Sequence, residues 1–166
     1  MKMLFALAAT LTAFGLVAGV QAASMPLTEA QAHAVIDPWY SQFTVATRGD
    51  VKTIQETVVS PDYQTCNGDL PGECWGRDGS IRAVGGLTKA IPDLKFEMKE
   101  MLISGDRVTV IGEVTGTPAG DLFGVPHSGK TFRMMIVDVQ TLKDGKLVRT
   151  VHMENWLSAL NQLRAK

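Results

Sequence analysis

The sequence predicts a single α+β domain in which helices precede strands. Three observations carry that prediction. Apolar residues recur at helical spacing up to Ala90, period-2 alternation begins at Leu94, and two strand-like runs, Phe132 to Leu142 and Lys146 to Trp156, meet at an Asp-Gly step. Helices followed by consecutive antiparallel strands are the layout of an α+β domain.

Residues 1–22 have the pattern of a signal peptide. Lys2 precedes an apolar run from Leu4 to Val20, and small residues surround Ala22. We expect cleavage after Ala22 and export to the periplasm or the medium, which leaves residues 23–166 as one domain. The alternative is a retained membrane anchor, but no charged stop-transfer cluster follows the run. We therefore expect no membrane partner after cleavage.

Composition argues against two further kinds of partner. The formal net charge is −1 and no basic cluster is present, which argues against a nucleic-acid surface. His33, His127 and His152 show no metal-ligand spacing, so we expect neither a metal nor another cofactor.

Capping signals locate the helices. Thr28 and Gln31 form a capping-box pattern, and Asp50 is a candidate N-cap. The predicted helices run from Thr28 towards Val45 with Pro38 as a kink or break, from Asp50 to Val59, from Asp78 to Ala90 and from Ser158 to Arg164.

Cys66 and Cys74 are the only cysteines, and they flank a short segment that contains glycine and proline. In an exported chain two such cysteines favour a disulfide, which would stabilise the fold by about 2–3 kcal/mol. The strands follow this region. They are predicted from Leu94 to Met98, from Arg107 to Thr117, and in the hairpin.

The hairpin register decides which side chains share a face. A type I′ turn at Asp144-Gly145 pairs Lys143 with Lys146. One face then carries Arg133, Met135, Val137, Val139, Thr150, His152, Glu154 and Trp156. The other carries Phe132, Met134, Ile136, Asp138, Leu147, Arg149, Val151, Met153 and Asn155. Both faces contain large apolar residues, so we expect helices to cover one and a second subunit the other.

The segment Gly124 to Thr131 matches the phosphate-loop pattern G-x-x-x-x-G-K-[ST]. A phosphate loop must open a helix, whereas this segment leads into the β-patterned run that begins at Phe132. Pro126 also removes a backbone donor. The pattern is therefore not interpreted as a nucleotide site.

The same region carries a family resemblance. The segment Gly116 to Lys130 resembles the Gly-Thr…Gly…Phe-Gly-Ile-Pro-x-x-Gly-Lys signature of the SnoaL-like polyketide cyclase (ester cyclase) family. Shorter matches at Ile91-Pro92-Asp93-Leu94, Gly105-Asp106-Arg107-Val108, Asp144-Gly145-Lys146-Leu147, Glu154-Asn155-Trp156 and Gln162-Leu163 follow in the family order. The resemblance implies a nuclear transport factor 2-like cone: three N-terminal helices packed on a curved antiparallel sheet, commonly dimeric through the outer face of the sheet.

The resemblance also implies acid/base chemistry, but one family residue is missing. The cyclases usually place an acid/base Asp a few residues after the tryptophan of the Glu-x-Trp motif, whereas Leu157-Ser158-Ala159-Leu160 follows Trp156 here. On the predicted hairpin face, Glu154 with a raised pKa would remove a proton next to a carbonyl while His152 and Arg133 steady the enolate oxygen. The alternative is a structural Arg133–Glu154 pair with His152 hydrogen-bonded in the core.

Two functions follow from these patterns. The first is a cofactor-independent cyclase or isomerase acting on a small apolar carbonyl compound. The second is a non-catalytic periplasmic module that binds a small ligand or a protein. The predicted pocket is lined by Trp39, Tyr40, Tyr63, Met135, His152, Glu154 and Trp156, with His127 at its mouth or on the surface. The face with Phe132, Met134, Ile136, Val151 and Met153 has no helix left to cover it, which predicts a homodimer.

Overall fold

The computed structural model describes residues 26–68, 70 and 72–165. The predicted signal peptide and its cleavage site lie outside the described residues. The helices are α1 (Glu29–Ser41), α2 (Val51–Val58), α3 (Arg77–Ala90) and α4 (Trp156–Arg164). The strands are β1 (Val59–Cys66), β2 (Cys74–Gly76), β3 (Lys95–Ser104), β4 (Arg107–Gly116), β5 (Phe132–Lys143) and β6 (Lys146–Glu154).

The first two helices begin where their caps were predicted. Thr28 and Gln31 form the reciprocal capping box of α1, and the Asp50 carboxylate accepts the Thr53 amide at the start of α2. Pro38 does not split α1, which continues to Ser41. The helix nevertheless ends short of the predicted Val45.

The sheet has six strands in the order β2-β1-β6-β5-β4-β3. Sequence patterning does not predict β1 and β2, because Pro61 interrupts the first run and the segment between the cysteines contains glycine and proline. All neighbouring strands are antiparallel except β1 and β6, which run parallel. The curved sheet is therefore mixed, and the α+β cone that the sequence predicted is otherwise confirmed.

The predicted turn of the β5–β6 hairpin is confirmed, but its faces are not. Asp144 and Gly145 both have positive φ, 51° and 70°, and Lys143 pairs with Lys146. One step further Leu142 pairs with Leu147, whereas Thr141 pairs with Arg149. The extra residue is a β-bulge, which exchanges the two faces of β6 relative to β5 from that point on.

The exchange puts a different set of side chains inside. Asp138 faces His152, and Ile136 faces Glu154, across the paired strands. Phe132, Met134 and Ile136, predicted on the dimer face with Val151 and Met153, are instead buried in the core. The prediction that these five residues share a dimer face is therefore wrong, although Val151 and Met153 do lie on the outer face of the sheet.

A glycine in β4, Gly112, makes room for an aromatic pair in the core. A Cβ on Gly112 would lie 2.3 Å from the Phe96 ring, so only glycine leaves that ring its present place. Phe96 stacks on Tyr40 of α1 with ring centroids 4.2 Å apart. The small residue thus helps to fix Tyr40 against the inner face of the sheet.

The outer face of the sheet has an apolar centre that no described helix covers, with charged residues such as Glu113, Arg133 and Arg149 beside it. It carries Ile111, Val137, Val139 and Val151, with Met135 and Met153 exposed by 56% and 64%. No helix within the described ranges is long and apolar enough to cross a bilayer.

Candidate functional site

The site is a cavity of about 530 Å³ between the helices and the inner face of the sheet. Aromatic and aliphatic side chains form most of its wall: Trp39, Phe43, Trp75, Ala83, Val84, Leu87, Ala90, Phe96, Val114, Leu122, Phe123, Ile136 and Trp156. Its polar side chains are Thr65, Asn67, Ser80, Asp138, Thr150, His152 and Glu154. A large apolar cavity with a few convergent polar groups is the usual form of a small-molecule site.

Asp138 and His152 form the polar centre of this wall. They are directly opposite each other on β5 and β6, where Cβ atoms lie about 4.5–5.5 Å apart. Asp138 is only 5% exposed. Its Oδ1 and the Nε2 of His152 are buried without a hydrogen-bond partner among the described residues. Leaving such atoms unpaired is costly, so this pair is suited to a ligand that completes their hydrogen bonds.

Burial controls the protonation of both groups. It raises the pKa of Asp138 to about 7, helped by the Glu154 charge and opposed by a hydrogen bond from Tyr40. Burial also lowers the pKa of His152, against the opposing effect of Glu154. Near neutral pH the site therefore holds a carboxyl group that both gains and loses a proton, beside a neutral imidazole.

A chain of buried hydrogen bonds ends on Asp138. The Tyr63 hydroxyl donates to Thr150 Oγ1 at 2.7 Å, and Thr150 donates to Gln140 Oε1 at 2.5 Å. Gln140 Nε2 then donates to the Tyr40 oxygen at 3.0 Å, and the Tyr40 hydroxyl donates to Asp138 Oδ2. Tyr40 and Tyr63 were predicted to line the pocket; they lie buried behind its wall and support Asp138 instead.

Glu154 lies at the cavity wall as predicted, but its partner is different. The Trp156 indole nitrogen donates to Glu154 Oε2 at 2.7 Å. Trp156 starts α4 and packs edge-on against Phe123, with centroids 4.9 Å apart. The structure thus brings together Trp39, His152, Glu154 and Trp156 from the predicted set.

Three predicted site residues lie elsewhere. Arg133 is on the outer face, with a 71% exposed side chain whose Nη1 lies 3.5 Å from Glu113 Oε2, so the predicted pairing with Glu154 is wrong. Met135 shares that outer face. His127 does not line the cavity but is exposed in the β4–β5 loop, which agrees with the surface position predicted as one of its two places. The β6 bulge is the physical reason for the first two corrections.

Sequence reasoning missed Asp138 as a site residue. It placed this carboxylate on the opposite face from His152 and Glu154. A usable signal was present: Asp138 stands alone among apolar residues from Met134 to Val139, and a carboxylate on a buried strand face is costly unless it has a role.

The β1–β2 hairpin closes one side of the cavity. Cys66 and Cys74 are joined by a disulfide across the two strands, which confirms the predicted bond. Asn67 and Trp75, next to the two cysteines, line the cavity, and Trp75 meets His152 edge-on at 6.4 Å.

The phosphate-loop pattern lies in the β4–β5 loop and leads into β5 rather than a helix. In the described part of the chain, no cluster of three or more His, Cys, Asp or Glu side chains is placed to hold a metal ion.

Comparison with known proteins identifies a family. The sequence profile of the SnoaL-like polyketide cyclases matches residues 34–163. No curated protein sequence is similar enough to count as a match.

Several solved structures share the fold of this chain. The chain resembles a candidate SnoaL-like polyketide cyclase from Jannaschia sp. CCS1 with a TM-score of 0.72 and 19% identity, covering 86% of this chain and 96% of that one. TsrD from Streptomyces laurentii has a TM-score of 0.71 and 18% identity, with 84% and 99% covered. AclR, a candidate hydroxylase from Streptomyces galilaeus, has a TM-score of 0.70 and 25% identity, with 82% and 97% covered.

Proposed function

Because the chain belongs to the SnoaL-like polyketide cyclase family, we propose that it cyclises or isomerises a small apolar carbonyl compound by proton transfer, without a cofactor. The observation that carries this proposal is the buried carboxyl group of Asp138, whose Oδ1 has no hydrogen-bond partner within the described residues and whose pKa is raised to about 7. A general base with a pKa near the working pH transfers protons most effectively.

Asp138 takes the role of the acid/base group. Its ionised Oδ1 removes a proton from the carbon next to the carbonyl, and the C–H electron pair moves to the carbonyl oxygen to give an enolate. In an isomerisation the protonated Asp138 returns that proton to a different carbon. In a cyclisation the enolate carbon attacks a second carbonyl carbon of the same molecule, and Asp138 protonates the resulting alkoxide.

His152 stabilises the negative charge that forms on the oxygen. In the Nε2–H tautomer the neutral imidazole donates a hydrogen bond to the enolate oxygen from its buried nitrogen. A neutral donor in a water-poor site gives this stabilisation without placing a second titrating proton beside Asp138. Glu154 does not pair with Arg133 and acts by its charge, which raises the pKa of both Asp138 and His152.

The cavity wall selects the ligand. Six aromatic side chains, Trp39, Phe43, Trp75, Phe96, Phe123 and Trp156, offer flat apolar surface, and no Lys or Arg of the described chain lines the cavity. An uncharged, partly aromatic carbonyl compound fits these walls.

Exchange of α-protons for deuterium tests the proposal before the natural substrate is known. The probe is 1-tetralone in D₂O, followed by proton NMR. The wild-type protein should accelerate the exchange, and Asp138→Asn should reduce the acceleration by about 10²–10⁴-fold because the amide cannot accept the proton. Asp62→Asn, which neutralises an exposed carboxylate of β1, should leave the rate unchanged.

Ligand binding separates catalysis from the alternative function. All three tryptophans line the cavity, so their fluorescence reports binding of the probe. Saturable binding with no accelerated exchange would contradict the enzymatic proposal and favour the non-catalytic binding module. Binding retained in Asp138→Asn while exchange is lost would support proton transfer by Asp138.

We propose that the protein is exported, to the periplasm or the medium, after cleavage behind Ala22. The support is the signal-peptide pattern together with the disulfide, since such bonds persist in oxidising compartments. Intact-mass measurement of the protein from its native host should give a chain that begins at Ala23.

We also propose that two copies associate through the outer face of the sheet. Ile111, Val137 and Met153 form one apolar row across three strands, and Val139 and Val151 form the next. Exposed apolar patches with charged residues at their rim are typical of protein interaction sites.

A further inference from the structure

The hydrogen bonds behind Asp138 are not used by the proton-transfer scheme. We propose that Tyr40 is a positioning residue, which holds Oδ2 of Asp138 as a hydrogen-bond acceptor and so confines proton exchange to Oδ1 at the cavity. This inference rests on the proposed function, in which Asp138 transfers the proton.

The donor-to-acceptor direction of these hydrogen bonds explains why Oδ2 carries no proton. An amide nitrogen can only donate, so Gln140 Nε2, 3.0 Å from the Tyr40 oxygen, occupies that oxygen as an acceptor. The Tyr40 proton is then free to go to Asp138 Oδ2, which is the other partner of this hydroxyl. Oδ2 accepts the hydrogen bond from Tyr40 and therefore carries no proton of its own, so the acidic proton of Asp138 belongs on Oδ1.

The far end of the chain keeps Gln140 in this orientation. Gln140 Oε1 accepts from Thr150 Oγ1, and Thr150 in turn accepts from the Tyr63 hydroxyl. All these side chains are at most 3% exposed, so water does not compete for their hydrogen bonds. Every donor in the chain therefore points towards Asp138.

Other titratable groups face Asp138 without replacing this contact. Tyr63 lies on β1, and His152 and Glu154 lie on β6. On the opposite side β4 places the apolar Val110 next to Asp138. Tyr40 is the group that hydrogen-bonds the carboxylate, and this bond lowers the pKa that burial raises.

Titration of Asp138 in two matched variants tests the proposal. Carboxyl carbons of aspartate are labelled with ¹³C, and the Asp138 resonance, assigned by its loss in Asp138→Asn, is followed with pH in the full chain without ligand. Tyr40→Phe should raise the pKa of Asp138 by about one pH unit or more, because the carboxylate loses a donor. Tyr63→Phe removes an equally buried hydroxyl from the far end and should leave that pKa nearly unchanged.

Whether the pKa of Asp138 rises or falls in Tyr40→Phe shows in which direction the hydrogen bonds are donated. If the Gln140 amide were reversed, Asp138 would donate to Tyr40, and Tyr40→Phe would lower the pKa of Asp138. A lowered or unchanged pKa, or equal changes in both variants, would overturn the proposal.

A second measurement on the wild-type protein covers the case in which Tyr40→Phe does not fold. The infrared carbonyl band of protonated Asp138 should lie at the lower frequency of a carbonyl that accepts a hydrogen bond. The higher frequency of a free carbonyl would contradict the assignment. Both readouts are independent of turnover, so a negative 1-tetralone result with the expected titration would reject the proposed function alone.

Discussion

At the scale of single residues, Asp138 combines deep burial with a hydrogen bond to only one of its two carboxylate oxygens from the described chain. Burial favours the neutral acid, and the Tyr40 hydroxyl favours the carboxylate. Because burial dominates, ionisation of this side chain opposes folding. Buried groups with strongly shifted pKa values are concentrated at functional sites.

The pH dependence of stability should reveal this cost. The pKa of Asp138 is about 7 in the fold, above its ordinary value of 3.8, so the folded state binds more protons between these values. Its contribution to stability is fully present below about pH 4 and is lost as pH rises through 7, by roughly 4 kcal/mol at most. Asp138→Asn should remove this loss.

Urea unfolding of both proteins at pH 5 and pH 8 measures the effect. Relative to the wild type, the Asn variant should be more stable at pH 8 than it is at pH 5. The same stability difference at both pH values would show that Asp138 titrates as an ordinary carboxylate.

Residue types alone identified only part of the site. His152 and Glu154 were singled out because polar groups on a half-buried strand need a reason, and both line the cavity. Asp138 satisfies the same criterion but was placed on the other face, while Arg133 was included in error. The sequence indicates which residues could act chemically, but it does not reveal on which face of the sheet each one lies.

At the scale of elements, one extra residue in β6 determines which side chains of the hairpin face the cavity. The bulge in β6 between the partners of Thr141 and Leu142 exchanges the faces of all later pairs. A turn signal such as Asp144-Gly145 determines where two strands begin to pair, but it does not reveal a bulge three residues away. Strong local turn chemistry therefore predicted the hairpin correctly and its facing pairs incorrectly.

The disulfide should support the cavity as well as the fold. It closes a short loop with a sequence separation of 8, and Asn67 and Trp75 beside it form part of the cavity wall. Replacing Cys66 and Cys74 together by alanine should lower the free energy of unfolding by about 2–3 kcal/mol. It should also weaken binding of 1-tetralone.

Urea unfolding and fluorescence titration measure the two effects, with reduced wild-type protein as the comparison. Unchanged affinity in a folded double variant would show that the hairpin holds its position without the bond.

At the scale of the whole molecule, local patterns predicted the architecture well. Capping residues, turn glycines and alternation each report on a few neighbouring residues, and they agreed on helices packed against a sheet. The parallel pairing of β1 with β6 joins strands about 85 residues apart, as in Thr65 with Thr150. No local signal specifies such a contact, which explains why β1 was missed.

Dimerisation through the outer face of the sheet can be tested by introducing a charged side chain on that face. Met153 is 64% exposed, so Met153→Glu should leave the subunit stable but break a dimer, because a carboxylate would be buried in the apolar contact. Leu157→Glu, at a similarly exposed site on α4, is the matched control and should leave the mass unchanged. Light scattering at micromolar concentration should give a dimer for the wild type and the control; a monomeric wild type would refute the association.

The pH dependence of α-proton exchange tests most directly whether Asp138 is the proton-transferring group. With 1-tetralone as the probe, the wild-type rate should rise as pH increases through about 7, because only the carboxylate accepts a proton. Asp138→Asn should show a low rate without this rise. A rise of equal size and midpoint in the Asn variant, or a wild-type rate that does not change between pH 5.5 and 8.5, would contradict the assignment of Asp138.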